Sequence, residues 1–219
     1  MTNWKKSQRE LLTNNIQTYD DLPEYIIDYL KTAIKFEGEY YTNNSLAGHI
    51  ENEYAYPPRD KKIDEFFIKS IFKSPMLVSY LQTFNLLTND APIVLETMWC
   101  NFMRKQEFNP IHTHFGLFSF IVFLKIPYDL AKEDKIWPNT YGGKSCTSRL
   151  EFITFNPFGN TINPITVNVD KSFENKMLMF PSNMPHQVYP FYTSDDERIT
   201  VSGNLKFDTV KMSNETKND

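Results

Sequence analysis

The chain has 219 residues, enough for one domain or for one domain carrying an added helical layer. Apolar residues make up 41% and aromatics 15%, too many for a disordered chain and enough to fill a core. The formal charge of −4 is spread without a basic block, which argues against a dedicated nucleic-acid surface.

Residues 1–91 read mostly as a helical layer. LPEYIIDYLKTAIKF (22–36) sets Tyr25, Ile26, Tyr29, Leu30 and Ile34 at three- and four-residue spacing, with Asp20 or Asp21 available as a cap. Residues 63–87 carry Phe66, Phe67, Ile71 and Phe72 on a similar stripe. Ser74-Pro75 should divide that stretch into two helices, because the residue before proline avoids the helical region. Between the helical stretches, 43–60 is irregular and ends in Pro57-Pro58, so it is either a lid over a cavity or a plain surface connection.

From residue 92 to 210 the period changes. Segments 93–103, 118–127, 149–157, 164–169, 176–181, 186–191 and 198–207 read as short strands separated by loops rich in Asn, Pro, Gly and Asp. This many strands without intervening helices predict a mainly β fold: a double-stranded β-helix, or jelly roll, of cupin-like form with the N-terminal helices packed on one sheet. The tail 211–219 is polar and expected to fray.

No apolar run of about 18 residues is present, so no membrane-spanning helix is expected. The start, MTNWKKSQRELL, turns charged before an apolar stretch could serve as a signal peptide. The two cysteines, Cys100 and Cys146, fit a reducing compartment, and the chain is expected to be soluble and cytoplasmic. Cys100 reads as a small buried hydrophobe. Cys146 has no cationic neighbour in sequence and is assigned no catalysis.

Three of the four histidines fall at informative places. His112 and His114 stand in NPIHTHFG, just before the buried strand, where residues i and i+2 of an extended backbone share a face. His186 opens a later strand, and jelly-roll strands distant in sequence face each other across the cavity. Neutral imidazole is the commonest protein ligand for iron, copper, nickel and zinc. His49, in the irregular segment, reads as a bystander. Arg198 opens a strand on which Arg198, Thr200, Ser202 and Asn204 share one face while Ile199 and Val201 take the other. A polar face starting with arginine suits a ligand cavity, since guanidinium presents a forked pair of donors to a carboxylate and Thr200 adds a hydroxyl. The alternative for Arg198 is a surface ion pair with Asp195, Asp196 or Glu197. Asn101 and Ser119 are further polar candidates for the lining, and Trp99 and Phe118 are candidates for its walls.

The order H-x-(D/E/H), a distal His, then Arg with a hydroxyl two residues on resembles the Fe(II)- and 2-oxoglutarate-dependent oxygenases. More narrowly, 98–127 and 177–204, with a weaker echo in SLAGHIENEY (45–54), are similar to an oxygenase group frequent in bacteriophages. The resemblance implies Fe(II) held by His112, His114 and His186. It implies 2-oxoglutarate held by Arg198 and Thr200, with Asn101, Ser119 and Asn204 lining the cofactor cavity. O2 and an unidentified primary substrate would be the other partners, and hydroxylation the outcome. Most such enzymes have a carboxylate where this chain has His114. Position 117, where close relatives lead one to expect an acid, is Leu117. Either His114 is the third ligand, or the metal has two protein ligands and an extra water. The missing carboxylate also leaves open a cupin-like metal- or ligand-binding protein without oxygenase activity.

Overall fold

A computed structural model of the chain describes residues 16–33, 47–56, 59–84, 91–138, 145–156 and 161–208. Ten strands occur among them. They are β1 (Gln17–Tyr19), β2 (Asn52–Ala55), β3 (Ile93–Met103), β4 (Asn109–His112), β5 (Phe118–Lys125), β6 (Leu150–Phe155), β7 (Ile162–Val167), β8 (Met177–Pro181), β9 (His186–Val188) and β10 (Arg198–Phe207). The larger sheet runs β1-β8-β5-β10-β3-β2 and the smaller β4-β9-β6-β7. Described pairings are antiparallel, and from β3 to β10 the chain passes repeatedly from one sheet to the other. This is the expected double-stranded β-helix.

Among the described residues four α-helices accompany the sheets: α1 (Glu24–Ala33), α2 (Lys61–Phe72), α3 (Pro75–Leu81) and the single turn α4 (Leu130–Glu133). The break at Ser74-Pro75 occurs as expected. Ser74 is extended and its hydroxyl accepts from Leu77 N, while Asp60 caps α2 by accepting from Lys62 N. At the start of α1 the Pro23 carbonyl accepts from Ile26 and Ile27. Ile34 and the tail beyond 208 lie outside the described residues.

Helices α1–α3 cover the outer face of the larger sheet. Phe67 of α2 stacks on Phe120 of β5 at 4.0 Å between ring centroids, and both are fully buried. Each such ring contributes about 1.5–3 kcal/mol through burial. Gly203 on β10 makes room for this stack, since a Cβ there would lie 2.5 Å from Phe120 Cζ. Both faces of β5 are therefore covered, which is why its sequence is a continuous apolar run.

Phe118 is not a cavity wall. Its neighbour Ser119 points into the cavity, so strand alternation sends Phe118 to the helical side, where it meets Tyr80 at 5.6 Å. Two strands inside the stretch read as helical, β1 and β2, extend the larger sheet at its edges. A second apolar cluster, with Phe152, Phe180 and Tyr128, fills the space between the sheets.

Candidate active site

Between the sheets lies a cavity of about 650 Å3 that receives residues from both. His112 closes β4 and His186 opens β9, and the two are direct register partners across the smaller sheet. His114 sits two residues past His112, its backbone N–H donating to Ser182 O at 2.8 Å. The loop between can turn back because Gly116 adopts φ +118°, and a Cβ there would lie 2.6 Å from Leu205 O. One ligand atom from each of the three imidazoles falls within 4.8 Å of the others, the only such cluster among the described residues.

The tautomers follow from the backbone. His112 Nδ1 lies 2.7 Å from Pro110 O and His186 Nδ1 lies 3.0 Å from Met184 O. A carbonyl only accepts, so each Nδ1 carries the proton and each Nε2 keeps a lone pair. Burial lowers all three pKa values: His112 in direction, His114 to about 4 and His186 to about 3, with neighbouring imidazoles pushing the last two further down. Three neutral nitrogen donors at one point suit a divalent transition metal such as iron. The position two residues after His112 offers nitrogen where a carboxylate would bring charge. Leu117 supplies nothing in its place, because it is buried in the apolar cluster beneath the helices.

Arg198 stands at the start of β10, 5% exposed, on the face shared by Thr200, Ser202 and Asn204, all four lining the cavity. The three acids before it bond elsewhere: Asp195 with Lys105, Asp196 with Lys125 and Glu197 with Arg104. Arg198 itself has no ion pair among the described residues. Its Nη2 lies 2.8 Å from Met103 Sδ, and its Nε meets no acceptor. The hydroxyl of Tyr128 completes its surroundings. Burial raises that phenol's pKa, while the charge and hydrogen bond of Arg198 draw it back. A buried guanidinium without a carboxylate is costly to maintain, and a bound anion would remove that cost. Thr200 follows two residues on, its Oγ1 accepting from Asn101 Nδ2 at 3.4 Å.

Ser119 and Asn204 line the other end. Ser119 Oγ lies 2.8 Å from Asn204 Oδ1 and 3.0 Å from Ser182 Oγ, and Asn204 Nδ2 donates to Thr97 Oγ1 at 3.1 Å. Six residues of strand separate Asn204 from Arg198, roughly 20 Å. Trp99 is a cavity wall, its ring 5.5 Å from that of His114. His49 is not in the metal cluster. It bridges Phe108 in a short β contact and stacks on its ring at 4.6 Å, tying residues 47–56 against the core, where β2 pairs with β3. No motif or period marks Glu53 or Asn109 as cavity residues, or Tyr128 as a neighbour of Arg198. Glu53 lies within SLAGHIENEY, whose likeness was weak.

Residues 97–204 match the family model described as "Putative 2OG-Fe(II) oxygenase", a span containing every residue of the histidine cluster and the arginine face. Over that span the chain is similar to the 2OG-Fe(II) oxygenases. Its fold is similar to the crystal structure of a Pseudomonas putida prolyl-4-hydroxylase, with a TM-score of 0.50, 13% identity and coverage of 92% of this chain and 97% of that one. A prolyl hydroxylase from Trichoplax adhaerens, solved with a hypoxia inducible factor peptide, gives 0.49 and 15%, covering 94% and 93%. No curated protein matches the chain. That family implies Fe(II) and 2-oxoglutarate, and the three-histidine cluster fits the iron site. No helix among the chain's described residues is long and apolar enough to cross a membrane.

Proposed function

We propose that His112, His114 and His186 hold the iron, that Arg198 with Thr200 grips the distal carboxylate of 2-oxoglutarate, and that the oxygenase hydroxylates its primary substrate. The buried guanidinium facing the cavity without a carboxylate carries this reading. When bound, the two cofactors supply the oxidising power, consuming 2-oxoglutarate and O2 and yielding succinate and CO2.

The protein's own part is binding and orientation. Pro110 and Met184 carbonyls fix two imidazoles with Nε2 aimed inward. Asn101 orients the Thr200 hydroxyl by donating to its oxygen, which leaves the hydroxyl proton free to donate to a carboxylate. Tyr128 and Met103 hold the guanidinium. The separation of roughly 20 Å along β10 supports placing 2-oxoglutarate at the Arg198 end, since a five-carbon diacid does not span from Arg198 to Asn204. Ser119 and Asn204 then brace the Ser182 turn, whose carbonyl anchors His114. The chain is further proposed to consist of a helical layer over 1–91, an oxygenase core over 92–210 and a short tail.

The test is 2-oxoglutarate-dependent stabilisation of the iron-loaded protein under anaerobic conditions. A ligand at 100 times its Kd stabilises by about 2.7 kcal/mol, visible as a rise in melting temperature. The rise should vanish in Arg198→Ala, and succinate formation should vanish in His186→Ala. A 2-oxoglutarate response that survives in Arg198→Ala would place the cofactor elsewhere.

A further inference from the structure

At the rim of the cavity one aromatic ring is held out into water. Phe115 is 93% exposed, more than any other large apolar side chain among the described residues, and of those exposed it alone lines the cavity. Single exposed apolar residues are ordinary on a protein surface. Phe115 differs from them in how firmly its backbone is fixed. On one side His114 N donates to Ser182 O at 2.8 Å. On the other Leu117 N donates to Leu205 O at 2.7 Å, and Ser182 N donates to Leu117 O at 3.0 Å. Gly116, at φ +118°, leaves no room for a Cβ against Leu205 O, so the turn seats directly on β10. A turn fastened on both sides keeps the Phe115 ring at the rim, and the burial that the ring forgoes is available to a ligand.

The polar groups around this rim are engaged with one another. Ser119 donates to Asn204 Oδ1, Asn204 Nδ2 donates to Thr97 Oγ1, and Glu96 pairs with Lys206. What the rim offers a ligand is therefore a π face. Trp99 continues the aromatic wall inward, its ring 5.5 Å from that of His114. Resting on the oxygenase reading above, we infer that Phe115 is a specificity-determining residue for the primary substrate, and that a neutral aromatic ring of that substrate stacks on it. Two rings in offset or edge-to-face contact gain more than the area they bury, a gain that an aliphatic group of the same size does not give. Phe115 directly follows His114, so a ring lying on it is continuous with the histidine cluster and orients the rest of the substrate towards it. The two ligands then divide the cavity, with 2-oxoglutarate at Arg198 and the substrate at the rim. At about 650 Å3 the cavity is of the size that holds a drug-sized ligand, more than a five-carbon diacid fills.

The probes are N-acetyl-phenylalanine methylamide, its saturated counterpart N-acetyl-cyclohexylalanine methylamide, and cationic N-acetyl-lysine methylamide. Each is titrated into anaerobic protein loaded with Fe(II) and 2-oxoglutarate, following the heat of binding and the melting temperature. The aromatic probe should bind about two- to twelvefold tighter than the saturated one, the worth of a ring pair beyond its area, and tighter than the cation. Phe115→Leu keeps an apolar side chain without a ring and should erase that preference, while Phe115→Tyr should retain it. Because the ring is exposed, neither change disturbs the core, and both variants should keep the 2-oxoglutarate shift. Equal or tighter binding of the saturated or cationic probe, binding of none, or a preference that survives in Phe115→Leu overturns the inference. The two readings fail separately. A 2-oxoglutarate shift without the ring preference sinks this inference alone. A ring preference without the 2-oxoglutarate shift sinks the oxygenase site assignment and leaves Phe115 as a ring-binding residue of another kind of site.

Discussion

At the histidine end of the cavity, two of three imidazoles are oriented by carbonyls only two residues upstream in sequence. At the arginine end, Arg198 meets Met103, 95 positions away, and the hydroxyl of Tyr128, and no carboxylate among the described residues. One end is satisfied locally before any cofactor arrives, while the other keeps a charge waiting. Metal-ligating imidazoles must be neutral and aimed, which local hydrogen bonds achieve at small cost. An anion site must instead withhold a partner from its cation, and the fold bears that cost until the anion binds.

The largest effect separating the two ends is expected at His186. Outer-shell changes around a metal typically cost 10–100-fold, so removing a ligand in His186→Ala should lower iron-dependent succinate formation by more than about 100-fold. Bound iron should fall with it in metal analysis. Arg198 comes next and should behave differently. Truncating one member of a buried charge pair costs about 2–5 kcal/mol, so 2-oxoglutarate affinity in Arg198→Met should fall by roughly 30- to 4000-fold. The cofactor-free protein should meanwhile become more stable, by about 1–4 kcal/mol in urea denaturation, because an unpaired buried charge has gone. Loss of stability in Arg198→Met would mean that the guanidinium is not waiting for a partner.

These two ends were not equally legible in the sequence. The polar stripe Arg198, Thr200, Ser202, Asn204 is a period-two signal, and its face is the cavity face. The pair His112 and His114 was legible for the same reason, and the break at Ser74-Pro75 followed from proline's steric demand. What escaped was set by pairing across long separations. β1 and β2 are three and four residues long and owe their conformation to β8 and β3. Asn109 reaches the cavity, and Tyr128 reaches Arg198, only because segments distant in sequence converge. Phe118 was misplaced because a strand buried on both faces shows no alternation in its residue types, and only the position of Ser119 tells which face is which.

His114 tests whether the histidine end needs imidazole or only a donor. Its backbone is pinned to Ser182 whatever the side chain, so His114→Asp should keep the loop and supply the negative charge usual at this position. Iron affinity should change by no more than about tenfold in His114→Asp, and should fall by about 100-fold in His114→Ala, the upper end of what single shell changes cost. Equal affinities in all three proteins would mean that position 114 does not touch the metal.

A smaller effect should appear in pH dependence. Glu53 has its carboxyl raised to about 7 in the folded state, above the ordinary carboxylate range. Between that range and pH 7 the folded state therefore binds more protons than the unfolded one, and stability falls as pH rises. The slope from this group is at most about 1.4 kcal/mol per pH unit. Urea denaturation of the cofactor-free protein at pH 5, 6 and 7 should show the decline, and Glu53→Gln should flatten it. A parallel curve for the variant would remove Glu53 as the cause.

The smallest effect belongs to the three acids preceding Arg198. Asp195, Asp196 and Glu197 pair with Lys105, Lys125 and Arg104, all partly exposed, and such pairs contribute about 0–1 kcal/mol. Replacing all three by their amides should leave 2-oxoglutarate affinity within about threefold and shift stability by no more than about 3 kcal/mol, at most about 1 kcal/mol per pair. That near-silence is informative because of where the acids lie. If they were the resting partners of Arg198, their removal would free the guanidinium and tighten co-substrate binding. An affinity that rises in the triple amide variant, measured by calorimetric titration, would show that the arginine end is satisfied before its ligand arrives, erasing the contrast with the histidines.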